Sequence, residues 1–338
     1  MDFFARQPQN ENASHSYLGV IVVHVERNQS RDRRWSVVLL TLVLFGSLGL
    51  AACGSSSNSL GTTGKPNVIA TTSILGDLVQ QVGGNAVHVD VLIPRGADPH
   101  DFEPSASQAA RLRDASLVIA NGLGLEERLE STLESAADDG ATVFEIGPQI
   151  DPLMRPGTDQ PDPHFWLDPD RMIRAASLVA DELARTTTID RSTLDANVKT
   201  YTDTVQVAAA YATVTLNTVP ESERLLVTNH DALEYFANRF HYKVIGTIIP
   251  GGSTLAEPSA SDLRELVATI RSSGVNAVFS ESTTSSKLAE TVARELGKKI
   301  SIVELSTDTL GEPGSPTSTY QGLITTTARL IANGLSGK

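Results

Sequence analysis

The amino-acid sequence predicts an α/β protein of two (β/α) lobes with mostly parallel sheets, joined by one long rigid helix. Three observations predict it. A chain of 338 residues exceeds what one hydrophobic core usually supports, and about 100 to 200 residues per domain points to two. Short β-rich runs alternate with helical stretches in each half, as they do where helices cover a parallel sheet. Between the halves, residues 191–216 contain neither glycine nor proline. A helix through them would run roughly 40 Å at 1.5 Å per residue.

Taken in order, residues 1–52 read as a leader. Arg31, Arg33 and Arg34 precede an uncharged 18-residue stretch that ends in Leu50-Ala51-Ala52-Cys53. Positive residues, an apolar run and small residues at its close are the layout of a secretory signal. The alternative is an uncleaved anchor, since an apolar run of about this length nearly spans a bilayer. Gly46 and Gly49 interrupt the run and favour the signal. Residues 1–30 are long for such a segment, as expected of a start codon placed too far upstream. Cys53 is the one cysteine of the chain, so it has no intramolecular disulfide partner. Leu-Ala-Ala-Cys resembles the bacterial lipobox, whose cysteine carries a lipid. Residues 53–66, rich in Ser, Gly and Thr, are a flexible tether.

The N-terminal lobe is expected over 67–187. Strands are placed at 68–71, 87–93, 117–120 and 142–146, and helices at 74–82, 105–114, 125–137 and 171–185. The linking helix falls within 188–219, although its β-branched residues between Thr200 and Thr218 lower helix propensity. The C-terminal lobe takes 220–338. Its strands are placed at 225–228, 243–248, 277–280 and 300–303, and its helices at 232–239, 260–272, 285–296 and 320–333.

Of the seven histidines, His15 and His24 go with the leader. His100 and His164 close the same tripeptide, Asp98-Pro99-His100 and Asp162-Pro163-His164. Proline fixes its own φ and drives the preceding residue to extended geometry, so each imidazole leaves a stiffened loop. His100 follows a strand at the carboxyl edge of the sheet, where ligands of open α/β folds gather. His230 holds the equivalent place in the second half and is expected to face across a cleft. Asp308 also follows a strand, but an aspartate in a loop is usually a turn former. His88 alternates with Val87 and Val89 and points outward. His241 ends a helix, where its partial charge is favourable without any ligand role.

Together the motifs resemble the metal-binding lipoproteins of ABC importers for zinc and manganese. The likeness runs from about residue 67 to the C-terminus. It is carried by Asp98-Pro99-His100-Asp101-Phe102-Glu103-Pro104, by Asp162-Pro163-His164-Phe165-Trp166-Leu167-Asp168, by Val227-Thr228-Asn229-His230-Asp231-Ala232, by Phe279-Ser280-Glu281 and by Ser306-Thr307-Asp308-Thr309. The resemblance implies that His100, His164, His230 and Asp308 hold a metal in the interlobe cleft, two from each lobe. It implies as partners a membrane permease and its ATPase, for an exported monomer tethered by lipid to the outer face of the membrane.

Three imidazoles and one carboxylate suit four-coordinate Zn²⁺, and the Irving–Williams order favours zinc over manganese at such a site. Mn²⁺ stays the alternative, because residues 151–162 lack the His-rich loop that many zinc members carry. Asp98, Asp162 and Glu281 are expected to orient the imidazoles through their second ring nitrogens. A zinc hydrolase is disfavoured: no His-Glu-x-x-His motif is present, and four protein ligands leave no open position for water. An adhesin role would be an added property. The net charge of −13 and the 5% aromatic content argue against nucleic acid.

Overall fold

The computed structural model describes residues 64–297 and 299–337; the expected leader, Cys53 and most of the tether lie outside them. The first half opens with β1 (Asn67–Ala70), α1 (Ser73–Gly83), β2 (His88–Val91), α2 (Ala106–Arg113), β3 (Leu117–Ala120), α3 (Glu130–Asp138) and β4 (Val143–Glu145). The four strands form one parallel sheet in the order β2-β1-β3-β4. Both faces of the sheet are covered. Val68, Ala70, Leu117 and Ile119 point into the main core with α1, whereas Ile69, Val118 and Ala120 meet Leu112 and Leu133 on the other side. Strands buried on both faces carry continuous apolar runs, as Val68-Ile69-Ala70 and Leu117-Val118-Ile119-Ala120 do.

Two helices cross to the second half: α4 (Pro169–Thr186) and α5 (Arg191–Leu216). The side chain of Asp190 caps α5 by accepting the Ser192 N–H. Buried Leu194, Tyr201, Val205, Ala208, Ala212 and Leu216 recur at helical spacing and pack α5 against α1, α4 and the C-terminal helix over Tyr320–Leu335. That tertiary packing offsets the poor helix propensity of its threonines. Thr200 and Thr213 also return their hydroxyls to the carbonyls four residues back.

The second half contains β5 (Leu225–Thr228), α6 (Glu234–Phe240), β6 (Lys243–Thr247), α7 (Ala260–Ser273), β7 (Ala277–Glu281), α8 (Lys287–Leu296), β8 (Ser301–Leu305) and α9 (Tyr320–Leu335). Its strands form two parallel pairs, β5-β6 and β7-β8, with β5 beside β7. Among the described residues every strand pair is parallel, apart from one isolated antiparallel bridge between Met154 and Pro161. No helix among them is long and apolar enough to cross a membrane.

Several elements shift by one or two residues at their ends, β2 (88–91 against 87–93) and α8 (from 287 against 285) among them, and two late helix starts have visible causes. The helix expected from 125 begins only at Glu130, because Gly122, Leu123 and Gly124 all take positive φ. The buried Glu126 carboxylate also captures the N–H groups of Asn121 and Gly122, at 2.8 and 3.1 Å. The helix expected from 232 begins at Glu234: Ala232 N–H folds back to the His230 carbonyl, and Asp231 N–H bonds Gly251.

Candidate metal centre

Each half sends side chains inward from loops at the C-terminal ends of its strands. The loop after β2 carries Asp98-Pro99-His100, and Asp98 Oδ1 accepts the His100 backbone N–H at 2.9 Å. Asp162-Pro163-His164 builds the same Asx turn, with Asp162 Oδ1 accepting the His164 N–H at 3.0 Å. Tyr235 of α6 fastens this second loop, accepting from Leu153 N–H and donating to the Asp162 carbonyl, both at 2.9 Å. His230 follows β5, Glu281 ends β7, and Asp308 follows β8.

The imidazoles of His100, His164 and His230 are fully buried and meet one another. Nε2 of His164 lies 3.1 Å from Nε2 of His230 and 3.4 Å from Nε2 of His100. The donor atoms of these three residues lie within 4.8 Å of one another, as do those of His230, Glu281 and Asp308. Asp308 Oδ2 stands 3.9 Å from His230 Nε2. Among the described residues, neither oxygen of the buried Asp308 carboxylate has a hydrogen-bond partner. Buried carboxylates are otherwise hydrogen-bonded or paired, so two bare oxygens beside three imidazoles mark a place for a cation.

The opposite edges of the rings fix which nitrogen is free. His164 Nδ1 lies 2.7 Å from Asp162 Oδ1, and His230 Nδ1 lies 2.8 and 2.9 Å from the Glu281 oxygens. A proton held at Nδ1 leaves the Nε2 lone pair directed inward, as in carboxylate-histidine-metal arrangements. Two such lone pairs 3.1 Å apart repel unless a cation or a proton sits between them. Four donors at 2.0–2.1 Å from zinc in a tetrahedron stand roughly 3.3–3.4 Å apart, close to the spacing of these imidazoles.

The expectation for Asp98 needs correction. Its Oδ2 accepts the Thr254 hydroxyl at 2.6 Å while Oδ1 closes the turn, and so neither oxygen orients the His100 ring. Glu127 is the carboxylate beside that ring, with Oε1 3.3 Å from His100 Nδ1 and its side chain 36% exposed. No spacing in the sequence ties Glu127 to His100, because the turn that presents it replaces a stretch with helical periodicity. His88 is exposed, and His241 caps α6 in the left-handed conformation, φ 60°.

Electrostatics follows from burial opposed by pairing. Burial, reinforced by the charges of His230 and His100, holds the His164 pKa well below its ordinary value. Burial also pulls on His230, but the charge and hydrogen bond of Glu281 overcome it and raise the pKa to about 9. Burial is the largest single influence on Glu281 and raises it, but the charge and hydrogen bond of His230, with the Asn229 hydrogen bond and the charge of His164, together hold its carboxyl below the usual range. Burial lifts both Asp162 and Asp308 to about 7, against the pull of neighbouring cationic groups. A His230 pKa near 9 favours its protonated form at neutral pH when no metal is bound.

A model of the ZnuA family, described as the periplasmic component A of a zinc-uptake complex, matches residues 68–334. The chain belongs to this family. Among relatives of this ZnuA-family chain, the manganese-binding lipoprotein MntA of Bacillus subtilis is 31% identical over 84% of the chain and 94% of its own length. The metal ABC transporter substrate-binding lipoprotein ScbA of Streptococcus cristatus is 27% identical over 88% and 98%. Among solved structures, the periplasmic zinc-binding protein TroA from Treponema pallidum superposes with a TM-score of 0.76 at 28% identity. That match covers 80% of this chain and 99% of TroA. Membership in the ZnuA family makes the chain a substrate-binding component of a metal ABC transporter, not an enzyme, with the two-lobed α/β fold that the sequence predicts.

Proposed function

We propose that this protein captures zinc outside the cytoplasm through His100, His164, His230 and Asp308, and passes it to a membrane permease driven by an ATPase. The carrying observation is the convergence of three buried Nε2 atoms, two of them with Nδ1 already engaged by a carboxylate, beside an unpartnered aspartate. A donor set dominated by nitrogen suits zinc, whereas manganese prefers oxygen and higher coordination. Residues 67–187 and 220–338 act as the lobes and 188–219 as the strut. Lipid on Cys53 keeps the monomer at the outer face of the membrane.

Manganese is the second reading, because the Bacillus subtilis relative is named for it. Metal analysis of the soluble chain from Gly54 onward, with zinc and manganese in competition, separates the two. Zinc at one equivalent, retained against equimolar manganese and lost in His230→Ala, is the expected result. Equal zinc content in parent and variant would refute the ligand assignment; manganese displacing zinc would put the second reading first.

A further inference from the structure

Asp308 follows a C-terminal strand, yet the loop that carries it is held from the other lobe. Ser73, the first residue of α1, sits against that loop: its Oγ accepts the Leu310 N–H at 2.9 Å and lies 3.1 Å from Thr309 Oγ1. Gly96 N–H donates to the same Thr309 hydroxyl at 3.0 Å. Arg95 reaches further along the loop, with Nη1 donating to the Gly311 carbonyl at 2.5 Å and to the Ser318 carbonyl at 3.1 Å. On the near side of Asp308, the Trp166 indole N–H donates to the Thr307 carbonyl at 2.8 Å. The carboxylate between these anchors makes no hydrogen bond of its own, so its position is inherited from residues 307 and 309. Within the loop, Gly311 N–H bonds the Thr317 carbonyl, which folds residues 311–317 into one body that Arg95 holds at both ends.

We infer that Arg95 and Ser73 are positioning residues that latch the Asp308 loop onto the N-terminal lobe and set how fast bound metal leaves. The inference rests on Asp308 being a ligand, as proposed above. Arg95 lies five positions before His100 in the same loop, and Pro94 and Pro99 limit that loop's freedom. One stiff segment thus carries an imidazole of the centre and the grip on the loop of its carboxylate. A displacement of that segment by the permease would loosen both donors together. One guanidinium nitrogen, Nη1, bonds both carbonyls, and each bond is charge-assisted.

The test compares the full chain with Arg95→Ala, Ser73→Ala and the double variant. Amide hydrogen exchange over residues 306–319 in metal-free protein should rise by about tenfold or more in the double variant, since each lost bond removes one anchor of the loop. Zinc dissociation into excess chelator should accelerate by a similar factor, with Arg95→Lys intermediate. Unchanged exchange over 306–319 overturns the latch, and raised exchange with unchanged zinc dissociation overturns its role in release. Asp308→Asn is the control for the underlying reading. If that variant releases zinc at the parent rate, the ligand assignment fails, while the exchange measurement still reports on the latch.

Discussion

Asp308 shows at the scale of one residue how a binding site is kept at the expense of the empty fold. Burial raises its pKa from 3.8 to about 7, and none of the described residues hydrogen-bonds its oxygens. A carboxyl whose folded pKa is raised contributes stability that is fully present below the unfolded value and lost as pH rises through the folded one. At pH 8 the metal-free protein therefore bears an ionised carboxylate that the fold disfavours. Asp308→Asn removes that charge at nearly constant volume. Metal-free Asp308→Asn should be more stable than the parent at pH 8 by about 1–3 kcal/mol in urea unfolding. The difference should fade at pH 5, where the parent's carboxyl is protonated. Added zinc should reverse the order, because a ligand that binds only the folded state stabilises the better binder. Equal stabilities of the two metal-free proteins at pH 8 would sink this account.

The elements divide by whether their cause is local. α5 runs from Arg191 to Leu216 as its lack of glycine and proline foretells, and β3 and β5 coincide with their apolar runs. His100, His164 and His230 were legible because two repeated tripeptides and one strand end mark stiff loops; Asp308 was legible only through family resemblance, and Glu127 not at all. The start of α3 was lost for a tertiary reason. Residues 125–129 have helical periodicity, but the Glu126 carboxylate takes the Thr71 hydroxyl at 2.6 Å and two backbone N–H groups, holding the chain in a turn. Glu126→Ala should leave those N–H groups buried and unpaired and lower unfolding stability by about 2–4 kcal/mol. The amides of Asn121 and Gly122 should exchange faster than those of α5. Parent-like stability in this variant would mean that the glycine turn holds itself.

At the scale of the whole molecule, the centre joins two bodies across a gap that either a proton or a metal can bridge. His164 comes from one lobe and His230 from the other, and their Nε2 atoms stand 3.1 Å apart. On the proposed ligand set, zinc takes both lone pairs and an ionised Asp308, so its binding must displace the protons those groups hold. With His230 near 9 and Asp308 near 7, binding at pH 7 should release about one proton from the imidazole and about half of one from the carboxyl. His164, held well below its ordinary value, adds no competing proton in this range. Between pH 7 and 9 apparent zinc affinity should therefore rise about tenfold per unit, and below 7 it should fall as much as about a hundredfold per unit, as two protons compete. Zinc titration calorimetry at pH 7 in buffers of different ionisation enthalpy measures this directly. The observed heat should vary with buffer with a slope between one and two protons. A heat independent of buffer would mean that His230 and Asp308 give up no proton to the metal at pH 7, and would overturn this account.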